Sequence, residues 1–424
     1  MASDEVKITK LGSNMPKTQG DANKLQVDRY FKALNVSFKG PAEILTNSPN
    51  ITNLNDLEVD FRIYAYDHKL VVKEFPLAYW KDLFNHKIKQ ERSVAFRKLA
   101  AELAYKPDNE EAGIAALESF MFHLTGQKDP IDVVVMQQFL WLIKRKLNEL
   151  PTTYHIMPIL FGGQGTGKST AISLLTKPIV TYTIKGKSVD FVTDERQFKT
   201  LSEYFLVVFD EMAKANKVDI NHLKNIITND SLTWRQLHTN NSASMTQNCS
   251  FIGSSNKSVS DIIIDDTGMR RFYQINVKQN ANFTELNKID VKLIWESINE
   301  NQDKAYTANP EVLASLLLKQ EELRTPGSVE DFLNNCRYEP GTQATPTKVS
   351  LQELFDAYID YCKSSNIAYS VTKQSFSRQL QDKGWIKNAN SDKQKRAVEY
   401  HVIPGSIKPM NVIGGLLTKK GLDS

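Results

Sequence analysis

Ile156, Ile159, Leu160 and Phe161 make an apolar run of strand length that passes directly into Gly162-Gly163-Gln164-Gly165-Thr166-Gly167-Lys168-Ser169, and residues 170–175 continue in helix-compatible sequence. A strand, a glycine-rich turn and a helix in that order confine this part of the chain to a sheet with a helix packed across it. The glycines let the backbone turn tightly and aim its N–H groups inward, so that phosphates can sit at the N-terminus of the following helix. The segment from Gly162 to Thr170, including Gln164 and Thr166, is therefore the candidate ATP-binding loop. Lys168 is expected to reach the β/γ-phosphates as a point charge and Ser169 to hold Mg²⁺ through its hydroxyl. A plain turn between strand and helix is the bland alternative, and the Lys-Ser pair at the helix start argues against it.

The 424 residues, 41% hydrophobic and 24% charged, are enough for two or three globular domains. A net charge of +4 permits a polyanionic partner without demanding one. Cys249, Cys336 and Cys362 are odd in number and share no metal-ligand or redox spacing, which points to a reducing, cytoplasmic setting. No window reaches the roughly 18 apolar residues of a membrane span. The N-terminal segment carries acidic residues early and has no apolar stretch, so it does not read as a secretory signal.

Residues 1–26 are polar and read as a flexible arm. Leu54, Leu57, Phe61, Tyr64 and His68 have helical spacing, although Phe61, Ile63 and Ala65 also alternate as a strand would. Helix is the reading preferred, with His68 at the surface. After Pro76, residues 78–103 contain few breakers, and a second helical run from Glu110 closes at Thr125-Gly126-Gln127. Residues 132–147 carry Val135, Phe139, Leu142 and Ile143 on one face, with Lys144, Arg145 and Lys146 where cations suit the helix dipole. A helical module over 27–150 is expected, its apolar stripe serving as a core or as an oligomer contact.

Downstream, residues 204–209 form an apolar run ending in Asp210-Glu211. On a strand delivering both carboxylates to the sheet edge, Asp210 would bind Mg²⁺ and Glu211 would polarise the attacking water. A further strand, 249–253, runs into Ser254-Ser255-Asn256, whose amide can orient that water and sense the γ-phosphate. Arg270 and Arg271 follow the acidic loop 261–266. Arginine suits a finger that acts in trans on a phosphate, although either residue could instead pair with Asp265 or Asp266.

Taken together, GGQGTGKST, LVVFDE, FIGSSN and DDTGMRRF resemble the helicase domain of virulence-associated protein E and of related phage and plasmid primase-helicases. These are similar to superfamily 3 helicases of the AAA+ class. The likeness covers about residues 55–325, and the acidic loop with TG-x-RRF is its most specific part. The resemblance implies a ring, a homo-hexamer, driven by ATP along single-stranded or forked DNA, usually 3′ to 5′. Larger relatives carry an N-terminal primase for which this chain leaves no room. Priming is therefore not carried over, and a primase or polymerase would act in trans.

Residues 233–249 read as a hairpin with an asparagine turn at Asn240-Asn241. In the family this hairpin points into the ring and grips DNA with a basic residue. Here Asn240 and Asn241 occupy the tip, His238 lies just before them, and Arg235 and Lys224 lie further back. A hairpin that only lines a subunit interface is the other reading.

Residues 310–323 read as a helix, 326–348 as a lid end and linker, and 405–424 as a tail. Within 349–404, two helices, a strand, a polar tip and a second strand resemble a winged-helix module. Between Lys373 and Val402 seven cations (Lys373, Arg378, Lys383, Lys387, Lys393, Lys395 and Arg396) face three acidic residues, so a phosphate-facing surface is plausible beside a solvated wing or a protein contact. The expected class is thus α/β: a AAA+ parallel-sheet core over 151–325, preceded by the helical module and followed by the winged helix. ATP-driven unwinding for a phage or mobile element has two rivals, an origin-binding initiator and an ATPase that loads or switches a protein partner.

Overall fold

The strand at Met157–Phe161 is buried along nearly its whole length, as parallel strands covered on both faces must be. The computed structural model describes residues 18–215, 217–235, 242–263, 269–322, 328–336, 338–345, 347–365, 371–388 and 398–403. It divides into two units, one holding residues up to 262 with 270–322, the other holding 263–269 with 323 onward.

The first unit is built on a five-stranded sheet. Its strands are β1 (Met157–Phe161), β2 (Thr183–Lys187), β3 (Leu206–Phe209), β4 (Ser250–Ser255) and β5 (Phe272–Asn276). They lie in the order β2-β3-β4-β1-β5, and every neighbouring pair is parallel. Side chains alternate between two buried faces. Leu160, Leu206, Val208, Ile252 and Ile275 join one core with the helices Glu110–Thr125, Pro130–Leu147 and Lys168–Leu175. Ile159, Val207, Phe209 and Phe251 point the other way and are equally buried, with Phe209 and Phe251 stacked 5.8 Å apart. On that face Gly253 approaches Met212 so closely that a Cβ would lie 2.2 Å from its Sδ.

Between β3 and β4 the helix Lys217–Thr228 leads into an antiparallel hairpin, Ser231–Arg235 paired with Ser242–Thr246. The first strand begins two residues earlier than the sequence suggests and the second ends at Thr246 rather than Cys249, while the tip at 236–241 lies outside the described residues.

The helices before the sheet do not form one separate module. Residues from Val27 to Ile88 enclose a core of their own, with Phe61 and Phe84 stacked 4.7 Å apart. From Ala100 onward the helices share the core of the sheet. The expected 27–150 module is therefore divided by packing, because the helix Pro130–Leu147 is buried on almost every side rather than along one stripe. Its cations are not dipole partners at the surface. Lys144, 1% exposed, donates to the Trp295 and Ile298 carbonyls and meets the Glu300 carboxylate at 2.8 Å. Residues 19–26, expected to belong to the arm, are helical. The helix Gln19–Ala33 takes in residues 19–26, started by the Thr18 hydroxyl, which accepts from the Asp21 N–H, and anchored by Val27, Tyr30 and Phe31. The helices Leu54–Asp67 and Leu77–Glu102 fall where their spacing places them.

The second unit packs Val329, Phe332, Leu354, Tyr358, Phe376, Trp385 and Tyr400 into a separate core. Its helices Leu351–Ser364 and Lys373–Asp382 are capped by Ser350 and Thr372. A three-stranded antiparallel sheet places Glu399–Ile403 between Glu339–Pro340 and Lys348–Ser350. The expected linker 326–348 is thus part of this unit. Phe332 of the helix Ser328–Asn335 fills its core, and residues 339–340 pair at its sheet edge.

Candidate functional site

Because β1, β3 and β4 are parallel neighbours, the segments leaving their C-terminal ends meet at one edge of the sheet. The Gly162 N–H donates to the Ser255 carbonyl at 3.2 Å, joining the loop to the end of β4. Gly165 and Gly167 have φ of 78° and 84°, a region that side chains strain to adopt. A Cβ on Gly167 would also fall 2.2 Å from the ring of Phe283. This ring was not legible as part of the site, since it follows β5 and only the fold brings it to the loop.

Within the loop, the Lys168 ammonium donates to the Gly162 and Gly163 carbonyls at 2.8 and 2.7 Å. Partial burial lowers its pKa. Thr166 is buried and its hydroxyl donates to the Gly163 carbonyl at 3.0 Å. The Ser169 hydroxyl points to the Asp210 carboxylate, 3.4 Å away. Gln164 and Thr170 are exposed beside them. Glu211 stands at φ 54°, a left-handed position, and its exposed carboxylate is paired with Lys214. The Lys214 ammonium holds that carboxyl below the ordinary range. Asn256 is exposed just beyond β4, the strand lying between the loop strand and the carboxylate strand.

Arg270 and Arg271 lie at the other edge. They immediately precede β5, whose first residue, Phe272, pairs with Met157 at the start of β1. The length of a strand, about 17 Å at roughly 3.3 Å per residue, separates them from the loop. Arg271 acts on His155 there, and burial, then the Lys146 charge, then that of Arg271 push the imidazole pKa down to about 4. The hairpin springs from this same edge. Its root is held by the Gln247 N–H donating to the Asp230 carbonyl at 2.9 Å and by the Lys146 ammonium donating to Gln247 Oε1 at 2.8 Å.

The expected DNA contacts fall in both units, and each described one is taken in its own surroundings. Lys224 is buried, 5% exposed, with its ammonium 3.4 Å from Asn221 Oδ1, so it is withdrawn from a polyanion. Helical spacing placed it on the apolar side of Lys217–Thr228, a signal that its charge obscured. Arg235 ends the first hairpin strand. His238 and Asn240 lie outside the described residues, as do Lys393, Lys395 and Arg396. Lys373 donates to Gln352, while Arg378 is exposed on the same helix of the second unit.

No described helix is long and apolar enough to cross a membrane. Among the described residues no group of three or more His, Cys, Asp or Glu could hold a metal ion.

No curated protein matches the chain. Among solved structures, it is similar to the A-form apo structure of the NrS-1 C-terminal region, at 16% identity and a TM-score of 0.37, covering 63% of this chain and 62% of that one. A second A-form apo structure, of NrS-1 CTR(305-718), gives 17% identity and a TM-score of 0.39 over 65% of this chain and 64% of that one. The chain thus spans less than two thirds of either solved chain. The family model of the virulence-associated protein E-like domain matches residues 108–324, more than half of the chain and the whole of the sheet. The chain belongs to the family of virulence-associated protein E-like domains.

Proposed function

We propose that the protein is an ATP-dependent DNA helicase of the superfamily 3 type within the AAA+ class, working in the replication of a phage or mobile element. The observation that carries the reading is the division of the sheet. Lys168, Ser169, Asp210 and Asn256 gather at the C-terminal edge of the strands, and Arg270, Arg271 and the hairpin root gather at the opposite edge. The first set suits a magnesium nucleotide. Mg²⁺ takes one or two protein oxygens together with phosphates and water, and Ser169 and Asp210 offer such a pair. The loop cradle agrees, since its positive-φ glycines leave backbone donors where side chains would intrude.

In this reading Lys168 exchanges its loop carbonyls for phosphate oxygens, Glu211 accepts a proton from the attacking water, and Asn256 orients that water. Arginines a strand's length from the loop of their own chain would serve the loop of a neighbour. ATP supplies the phosphoryl transfer that drives the motor. The hairpin would follow DNA, and the second unit, read as a winged helix, would load it. The ring, its hexameric size and a primase or polymerase in trans belong to the same proposal.

Fork unwinding with Mg²⁺ and ATP tests it, with Lys168→Ala as the control that should abolish both hydrolysis and unwinding. Hydrolysis without unwinding would move the reading to an initiator if residues 345–424 bind one duplex sequence, and to a loader if they do not. Absence of hydrolysis would remove the reading altogether.

A further inference from the structure

The segment after β5 touches two places at once. Val277 and Gln279 border the loop, with a Cβ on Gly162 falling 3.0 Å from the Val277 carbonyl and one on Gly163 falling 3.1 Å from Gln279 Oε1. The same segment is bonded to the end of the helix Glu110–Thr125. The Lys278 N–H donates to the Leu124 carbonyl at 3.1 Å and the Asn282 N–H to the His123 carbonyl at 3.2 Å. The end of that helix also borders a cavity of about 520 Å³, lined by Glu118, Phe122, His123, Gln127, Lys128 and Asp129 among others. That volume falls within the range of small-molecule sites.

Its wall is unusual for the outer face of a helix. Phe122 is 37% exposed, whereas its neighbours Phe120, Met121 and Leu124 are buried in the core. Two ammonium groups stand over its ring, Lys128 at 5.8 Å and Lys278 at 6.0 Å from the centroid. Gln127, at the left-handed turn begun by Gly126, is exposed and offers both a donor and an acceptor. A part-exposed aromatic ring suits stacking by a flat heterocycle that displaces these ammonium groups towards the ribose-phosphate attached to it, and an amide suits its polar edge.

We propose that this cavity receives the base of the nucleotide whose phosphates occupy the Gly162–Ser169 loop, with Phe122 as the stacking surface and Gln127 at the base edge. The inference rests on the nucleotide reading of the loop and adds to it how the site would distinguish a nucleotide from a bare polyphosphate. The segment from Val277 to Phe283 would then sense occupancy of both halves, because it touches the loop at Gly163 and Gly167 and the cavity at Phe122.

The experiment is competition against a fluorescent ATP analogue in the full-length protein, with ATP and inorganic tripolyphosphate as competitors. The wild type should prefer ATP. Phe122→Ala should lose about tenfold or more in ATP affinity with tripolyphosphate affinity unchanged, and Phe122→Tyr should restore ATP binding. Lys168→Ala should lose both ligands. A Phe122→Ala protein that binds ATP as the wild type does, while Lys168→Ala does not, would overturn the base site and leave the loop assignment standing. Equal loss of ATP and tripolyphosphate in Phe122→Ala would overturn it too, by showing a merely structural role. A wild type that binds neither ligand would overturn the loop reading, and this proposal with it.

Discussion

At the scale of single residues, the two carboxylates after β3 stand in different surroundings. Asp210 faces Ser169, whereas Glu211 turns through a left-handed backbone to meet Lys214. Glu211→Gln should keep ATP affinity and lose about 10²-fold or more in turnover, measured by single-turnover hydrolysis, because only the proton acceptor is removed. Lys214 holds Glu211 ionised to lower pH, so Lys214→Ala should move the acid limb of the turnover profile upward in pH. His155 gives a stability test. Its folded pKa, about 4, lies below the ordinary value of 6.5, so the unfolded chain takes up the proton first as pH falls. Stability should therefore decline from about pH 6.5 towards pH 4, and thermal melts of His155→Gln should show a flatter slope over that window. That the loop, Asp210, Glu211 and Asn256 stand at strand ends was legible because each follows an apolar run of strand length. That Gln279 and Phe283 come beside the loop was not legible, since nothing local ties them to a segment more than a hundred residues earlier.

At the scale of elements, the helix Pro130–Leu147 shows where periodicity misleads. Its sequence has one apolar stripe and a basic end, yet Lys144 and Arg145 are buried because the turn around Trp295–Glu300 closes over them with carbonyls and a carboxylate. Sequence spacing reports which faces are apolar, and a cation buried against carbonyls from a distant turn escapes it. Lys144→Met should cost about 3–5 kcal/mol in urea unfolding, because it strands Glu300 without its partner. A second change, Glu300→Leu, should recover part of that loss if the ion pair itself is the cause. The helices Leu54–Asp67 and Leu351–Ser364 were legible at nearly their full lengths, since each has a cap and one buried stripe that agree. The arm and linker boundaries failed for a related reason. Polar composition hid the capped start at Thr18 and the core contribution of Phe332.

At the scale of the whole molecule, the proposal that Arg270 or Arg271 serves another copy has a direct test. Arg270→Ala and Arg271→Ala should keep nucleotide affinity and lose roughly 10³-fold or more in turnover. Mixing the affected variant with Lys168→Ala should restore part of the activity, because some contacts then join an intact arginine to an intact loop. Native mass spectrometry would verify that mixed assemblies form, and no recovery in them would place the arginine within its own chain.

That opposition of edges also bears on symmetry. In the ring proposed above, one copy lends its arginines to one neighbour's loop and borrows arginines from another, and the contact is heterologous, head to tail. Such contacts close only when the rotation between successive copies divides a full turn; any other angle, or any pitch, winds them into an open helix. The number of copies would then be set by the angle between the loop edge and the arginine edge of the sheet, rather than by the chemistry at either one. Substitutions that tilt β5 against β1 could thus change how many copies assemble while leaving each half-site intact.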